Sequence, residues 1–288
     1  MVKMHDHVCS MLKVAPPTGP RRHSSSNEAP DAAATEVLAD TDAAATDKAP
    51  QTIASIPTTV PEPPDVVCER EDVLGGMIGN LLGFMGTGSV SLSSVKKTKT
   101  KLSSHGSGGV GKTTLAAMLV RHDMVRRSFD RIGWVSVGQA PDVLELQRIL
   151  YAQLTGKAME VKPDATPELQ LQALRDVSEG KHWLVVLDDV WDSSHEKLLN
   201  CVDIKTQSKL FVTTRIRGLL KGCDEIFLEL LTRGEAVDLL LRMGGVESTD
   251  EAHAAAEQVA ELCGDLPLFV GICGGIIADY DGAPEWQT

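Results

Sequence analysis

One run constrains this chain more than any other. Gly106-Ser107-Gly108-Gly109-Val110-Gly111-Lys112-Thr113 fits the spacing GxxxxGK[ST], with four glycines in six positions. Glycine lets the backbone curl tightly enough for successive N–H groups to point into one concavity. The apolar run Leu115-Ala116-Ala117-Met118-Leu119-Val120 then continues as a helix, whose free donors and positive dipole end face the same concavity. A chain of phosphates is the ligand such a nest suits. Gly106, Gly108, Gly109, Val110 and Gly111 belong to its cradle, Lys112 reaches the β- and γ-phosphates, the Thr113 hydroxyl ligates Mg²⁺, and Thr114 contacts the α-phosphate.

A loop of this kind joins a strand to a helix, and the flanking pattern alternates accordingly. Helical spacing marks 112–122, Val143–Leu154 and Leu169–Val177. Strand character marks Arg131–Val137, Trp183–Leu187, Leu210–Val212 and Ile226–Leu228. The strand entering the loop is expected around the polar Lys97–Lys101, after a loop from Gly86. Strands alternating with helices imply a largely parallel sheet covered on both faces. Helical periodicity takes over at Glu235–Arg242, His253–Cys263 and Pro267–Ala278, predicting a small all-α lobe. The fold class is therefore α/β: a P-loop sheet covered by helices, then a helical lobe, behind a disordered N-terminal arm.

The second half of the site is Leu184-Val185-Val186-Leu187-Asp188-Asp189. A buried strand carries Asp188 to the C-terminal sheet edge, where open α/β sheets bind ligands and where a carboxylate can share Mg²⁺ with Thr113. Asp189 stands where a general base would orient water. It is one methylene shorter than glutamate, so hydrolysis is expected to be slow at best. Arg215 ends the next strand, which in P-loop ATPases of this order lies between the loop strand and the Asp188 strand. Its cation can distinguish a triphosphate from a diphosphate.

Composition sets the surroundings. Formal net charge is −12 over 288 residues, which argues against nucleic acid or an anionic membrane as partner. The six cysteines form no CxxC pair and read as reduced thiols of an intracellular, cytoplasmic protein. His5, His7 and Cys9 read as a terminus rather than a metal clasp. Met1–Val14 lacks the apolar run of a secretory signal. Val73–Val95 carries no charge, but its many glycines and serines argue against a membrane span. Residues 1–64, rich in Ala, Pro, Thr, Ser and Asp, offer no face to bury and predict the disordered arm. From Val66 on, Leu74, Ile78, Leu81, Leu82 and Met85 predict a short amphipathic helix.

Five ordered segments together resemble the NB-ARC family of signalling ATPases in the STAND class: Gly108–Ala116, Phe129–Val137, Leu187-Asp188-Asp189-Val190-Trp191, Lys209-Leu210-Phe211-Val212-Thr213-Thr214-Arg215, and Cys263-Gly264-Asp265-Leu266-Pro267-Leu268. The similarity runs from about Val66 to Ala278. It implies that Pro267 contacts an adenine base and that Val67 belongs to the adenine-side segment. It further implies a five-stranded domain at 65–230, a helical lobe at 231–288 like the first lobe beyond the family's sheet, and a switch between ADP-locked and ATP-bound states in signalling or defence. Adenine nucleotide with Mg²⁺ is the implied ligand, and nucleotide-dependent self-association or a partner protein is compatible with it.

Two departures qualify the resemblance. Asp265 stands where the family has glycine. The sequence ends at Thr288, short of the family's winged-helix lobe with its ADP-contacting histidine, which implies weaker ADP retention in a truncated or minimal switch. A P-loop small-molecule kinase or ATPase, and a nucleotide-binding remnant or interaction module without signalling activity, are the alternative readings.

Overall fold

The computed structural model describes residues 53–68, 70–83, 99–160 and 164–281. The readings that rest on His5, His7, Cys9, Met85 and 84–98 lie outside them. Among the described residues five strands form one parallel sheet: β1 (Lys101–His105), β2 (Arg131–Gly138), β3 (Trp183–Val190), β4 (Lys209–Thr214) and β5 (Asp224–Phe227). Their order is β2-β3-β4-β1-β5, so β4 lies between the strand that enters the loop and the strand that carries Asp188. The helices are α1 (Glu71–Leu82), α2 (Lys112–Arg121), α3 (Asp123–Ser128), α4 (Val143–Thr155), α5 (Pro167–Ser178), α6 (Ser193–Leu199), α7 (Arg233–Gly244), α8 (Asp250–Leu262) and α9 (Pro267–Asp281).

Local chemistry sets the helix ends. Asp142 caps α4 by accepting from the Glu145 N–H, and Gly156 closes it in the left-handed region at φ 74°. Thr166 caps α5 with Pro167 at its first position. Thr232 and Glu235 form a reciprocal capping box on α7. The short α3 and α6 were not expected from periodicity. Each is too brief to show a stripe, and each is started by a side chain, His122 and Asp192 respectively.

The sheet is buried on both faces, as parallel sheets are. On β3, Leu184 and Val186 pack with Met77, Leu81, Leu119, Trp134 and Phe211 beneath α1 and α2. Val185 and Leu187 face the other way, against Leu150, Leu154, Leu174 and Leu199. A separate core of Leu240, Val259, Ala260, Val270 and Cys273 holds α7, α8 and α9 together.

Two expectations need correction. The strand into the loop runs from Lys101 to His105, past the expected limit at Lys101, and its ladder partners on β4 and β5 start opposite Lys101 and Leu102. Ser103, Ser104 and His105 are buried even so, and Lys101 is partly buried. The His105 ring lies 5.2 Å from that of Phe227, and Lys101 Nζ is 2.8 Å from Glu196. Two flanking strands on the hydrogen-bond ladder outweigh a poor side-chain pattern. The second correction concerns 53–64, expected within the arm. Ala54 exchanges hydrogen bonds with Arg126 through its N–H and C=O, and the Thr59 hydroxyl donates to the Trp134 carbonyl at 2.9 Å. Ala54 and Val60 are buried. Two small apolar side chains and a few backbone bonds suffice to seat this stretch, too sparse a signal for composition to reveal.

Candidate functional site

The loop between β1 and α2 reaches its shape through left-handed turns at Gly109 (φ 80°) and Gly111 (φ 96°), conformations that L side chains adopt only at a cost. Space is as restrictive as dihedral angle. A Cβ at Gly106 would stand 2.8 Å from the Leu228 carbonyl oxygen, one at Gly108 would stand 2.9 Å from Arg215 Nη1, and one at Gly109 would stand 2.8 Å from Leu268 Cβ. The loop is thus pressed between the sheet edge, Arg215 and α9.

Lys112 opens α2 and is buried. Its ammonium donates to the carbonyls of Gly106 at 2.8 Å and Ser107 at 2.7 Å, so its charge is held inside the loop. Burial pulls its pKa below the usual lysine value, and the neighbouring Arg215 cation acts in the same sense. Thr113 turns to the sheet edge, where its hydroxyl lies 2.9 and 3.1 Å from the two carboxylate oxygens of Asp188. Asp188 also accepts from the Thr213 hydroxyl at 2.6 Å. Burial nevertheless raises its pKa, and the two hydroxyl bonds oppose the shift only in part.

Asp189 departs from ladder geometry. The pairing of β3 with β4 shifts register between Leu187 and Val190, and Asp189 has φ 56°. Its carboxylate meets different partners from that of Asp188. It accepts from the Trp191 indole N–H at 3.0 Å and lies 3.5 Å from Arg215 Nε. The carboxylate expected to act as a base is therefore engaged with two side chains of its own edge.

These groups open into a cavity of about 770 Å³. Its polar end is lined by Gly109, Val110, Gly111, Lys112, Thr113, Thr114, Asp188, Asp189 and Arg215. Its apolar end belongs to other parts of the chain: Val66 and Val67 before α1, Leu239 and Met243 on α7, and Pro267 and Ile272 on α9. Gly106 and Gly108 are not among the lining residues, and they shape the loop from behind. Pro267 and Val67, expected from resemblance alone, are among the lining residues. The Leu268 N–H donates to the Gly109 carbonyl at 3.2 Å, so α9 starts directly on the phosphate loop.

Sequence reasoning gave no role to two residues here. Arg70 donates to the carbonyls of Glu229 and Leu230 at 2.9 and 3.2 Å, fastening the segment before α1 to the linker before α7. No local pattern announces a contact across 159 positions. Trp191 was legible only as the end of a motif. Its ring also carries the Arg215 guanidinium, 5.1 Å from the ring centroid.

Among the described residues no group of three or more His, Cys, Asp or Glu side chains could hold a metal. No described helix is long and apolar enough to cross a membrane. Cys68, Cys201, Cys223, Cys263 and Cys273 are free thiols.

Comparison with known proteins gives one family. The NB-ARC domain model matches residues 90–250. The Arabidopsis thaliana disease resistance RPP8-like protein 3 is 32% identical over 197 residues, covering 63% of this chain and 21% of its own length. Disease susceptibility protein LOV1 of the same plant is 28% identical over 198 residues, covering 63% of this chain and 22% of its own. The chain thus spans about a fifth of the length of these curated relatives. A solved STAND protein with a tetratricopeptide repeat sensor from Pyrococcus horikoshii aligns at 17% identity with a TM-score of 0.47, over 75% of this chain and 31% of that one.

Proposed function

This chain belongs to the NB-ARC domain family, and from that premise we propose that it is an ADP- and ATP-responsive switch serving a defence response. The observation that carries this reading is the two-sided cavity. The phosphate loop, Asp188 and Arg215 come from the sheet, whereas Pro267, Leu268 and Leu239 come from the helical lobe. A ligand held between two bodies couples its own chemistry to their arrangement, because a terminal phosphate can be met by only some of the lining groups in any one arrangement.

In this reading Lys112 and the amides of 106–111 bind the phosphates. Pro267 and Val67 bracket the base, Thr114 supports the first phosphate, and Thr113 with Asp188 would hold Mg²⁺. The pair fits such an ion, since the hydroxyl and carboxylate already converge to 2.9 Å. A bound Mg²⁺ would neutralise phosphate charge. It would also hold Asp188 ionised, against the burial that raises its pKa. Arg215 answers to the γ-phosphate. Asp189, tied to Trp191 and Arg215, is poorly released to act as a base, which supports slow hydrolysis at most.

The relatives named as disease resistance and susceptibility proteins support the defence setting. Buried free thiols support a reducing, cytoplasmic one. We assign 65–230, with the stretch 53–64 seated on it, to the nucleotide domain and 231–288 to the helical lobe, and leave self-association or a protein partner as the output of the switch. Calorimetric titration with ADP and ATP, each with and without Mg²⁺, tests the reading. Binding of both nucleotides, strengthened by Mg²⁺, is the expected result, and absence of binding would overturn it.

A further inference from the structure

Trp191 stands just past β3 and is not among the residues lining the cavity. It acts on two that are. Its indole N–H donates to Asp189 Oδ2 at 3.0 Å, its ring carries the Arg215 guanidinium 5.1 Å from the centroid, and Arg215 Nε lies 3.5 Å from Asp189 Oδ1. The three side chains close a triangle.

The triangle matters because the Arg215 side chain is 48% exposed. An arginine in that setting ordinarily samples many rotamers, and ordering it opposes any contact it makes. Here the face of the guanidinium is set by the indole and its Nε edge by Asp189. The remaining edge is thereby directed at the phosphate loop, with Nη1 2.9 Å from where a Cβ on Gly108 would stand. The left-handed backbone of Asp189 completes the device, since it aims that carboxylate at Trp191 and Arg215 while Asp188 keeps to Thr113 and Thr213.

We propose that Trp191 is a positioning residue for Arg215: it holds the guanidinium with its free edge over the loop, and so sets how strongly the site prefers a nucleoside triphosphate to a diphosphate. The proposal rests on the reading of Arg215 as the contact for the terminal phosphate. An arginine already held in place contributes more to binding than one that must first be ordered.

The test measures ADP and ATP affinity of the full chain by calorimetry for the parent, W191L, W191F, R215A and W191L/R215A. Leucine keeps bulk but offers neither ring face nor N–H. Phenylalanine restores the face alone. W191L is expected to weaken ATP binding about two- to five-fold with ADP unchanged, and W191F is expected to recover part of that loss. In the R215A background W191L should add nothing. An equal loss for ADP and ATP, or a W191L effect that persists without Arg215, overturns the proposal. If R215A itself fails to lower ATP affinity more than ADP affinity, the sensor reading falls and takes the proposal with it. If R215A is selective and W191L is not, only the role of Trp191 falls. Should W191L not fold, W191F decides alone: an ATP-selective loss supports the proposal and its absence overturns it.

Discussion

At the residue scale, the site concentrates charge where water is scarce, and the two central charges titrate in opposite senses. Lys112→Ala removes the only ammonium lining the cavity among the described residues. Phosphate oxygens then lose their buried partner, which costs about 2–5 kcal/mol, or roughly thirty-fold to several thousand-fold in affinity. Calorimetric ADP binding checks this, and unchanged affinity would remove Lys112 from the site. Asp188 gives a pH test. Its folded pKa lies above the ordinary 3.8 because it is buried. The folded state therefore holds more protons than the unfolded state in the window above 3.8, and the stability of the nucleotide-free protein falls as pH rises through that window. Asp188→Asn should flatten this slope in denaturant titrations at stepped pH. It should also raise the thermal midpoint at neutral pH and abolish any Mg²⁺ enhancement of ADP binding. A carboxylate kept at a cost to stability is a mark of a binding group rather than a structural one.

At the scale of elements, the junction between α8 and α9 shows how an unusual residue is accommodated. Asp265 holds φ 54°, the left-handed region in which glycine is at ease and aspartate tolerable. The side chain also earns a contact glycine would lack, since Arg233 donates to its carboxylate at 3.1 Å. Asp265→Ala should therefore be less stable than Asp265→Gly by about 1 kcal/mol, measured by urea unfolding. The reverse order would deny the backbone argument. Gly109 is constrained twice, by φ 80° and by Leu268. Gly109→Ala should cost about 1–3 kcal/mol of stability and weaken nucleotide binding as well, because relief of the clash moves α9 off the loop. Helices with caps and the apolar β3 were legible from sequence because their signals are local. The strand β1 was not, since Ser103, Ser104 and His105 are buried by what flanks them rather than by their own hydrophobicity.

At the scale of the whole molecule, the cavity is a joint. The segment 64–68 lines its apolar end, and Val66 and Cys68 pack on the core of the helical lobe. Arg70 pins that segment to the Glu229 and Leu230 carbonyls. Removing the pin frees two carbonyls and leaves the base end of the site less ordered. Arg70→Ala should thus weaken ADP and ATP binding to a similar degree, by about 1–3 kcal/mol for the lost charged hydrogen bonds, in contrast to the ATP-selective loss expected for Arg215→Ala. Hydrogen exchange gives the complementary test. ADP should protect the amides of Val67 and Leu268 together with those of 109–113, and protection confined to the loop would mean that the helical lobe takes no part in binding.

The sequence by itself determined the phosphate loop, the strand that carries Asp188, the alternation that demands a parallel sheet, and the helical character of the tail. Each is encoded by residue types at fixed short spacing, so steric limits on glycine, capping and apolar periodicity suffice to read it. Tertiary structure alone decided that 53–64 is part of the body, that Arg70 reaches a linker far along the chain, and that Asp189 faces Trp191 and Arg215 instead of standing free. Those outcomes depend on contacts between distant segments and on one irregular step in β3. Such contacts are selected by how the layers pack, and no stretch of sequence read alone contains the partner it will meet.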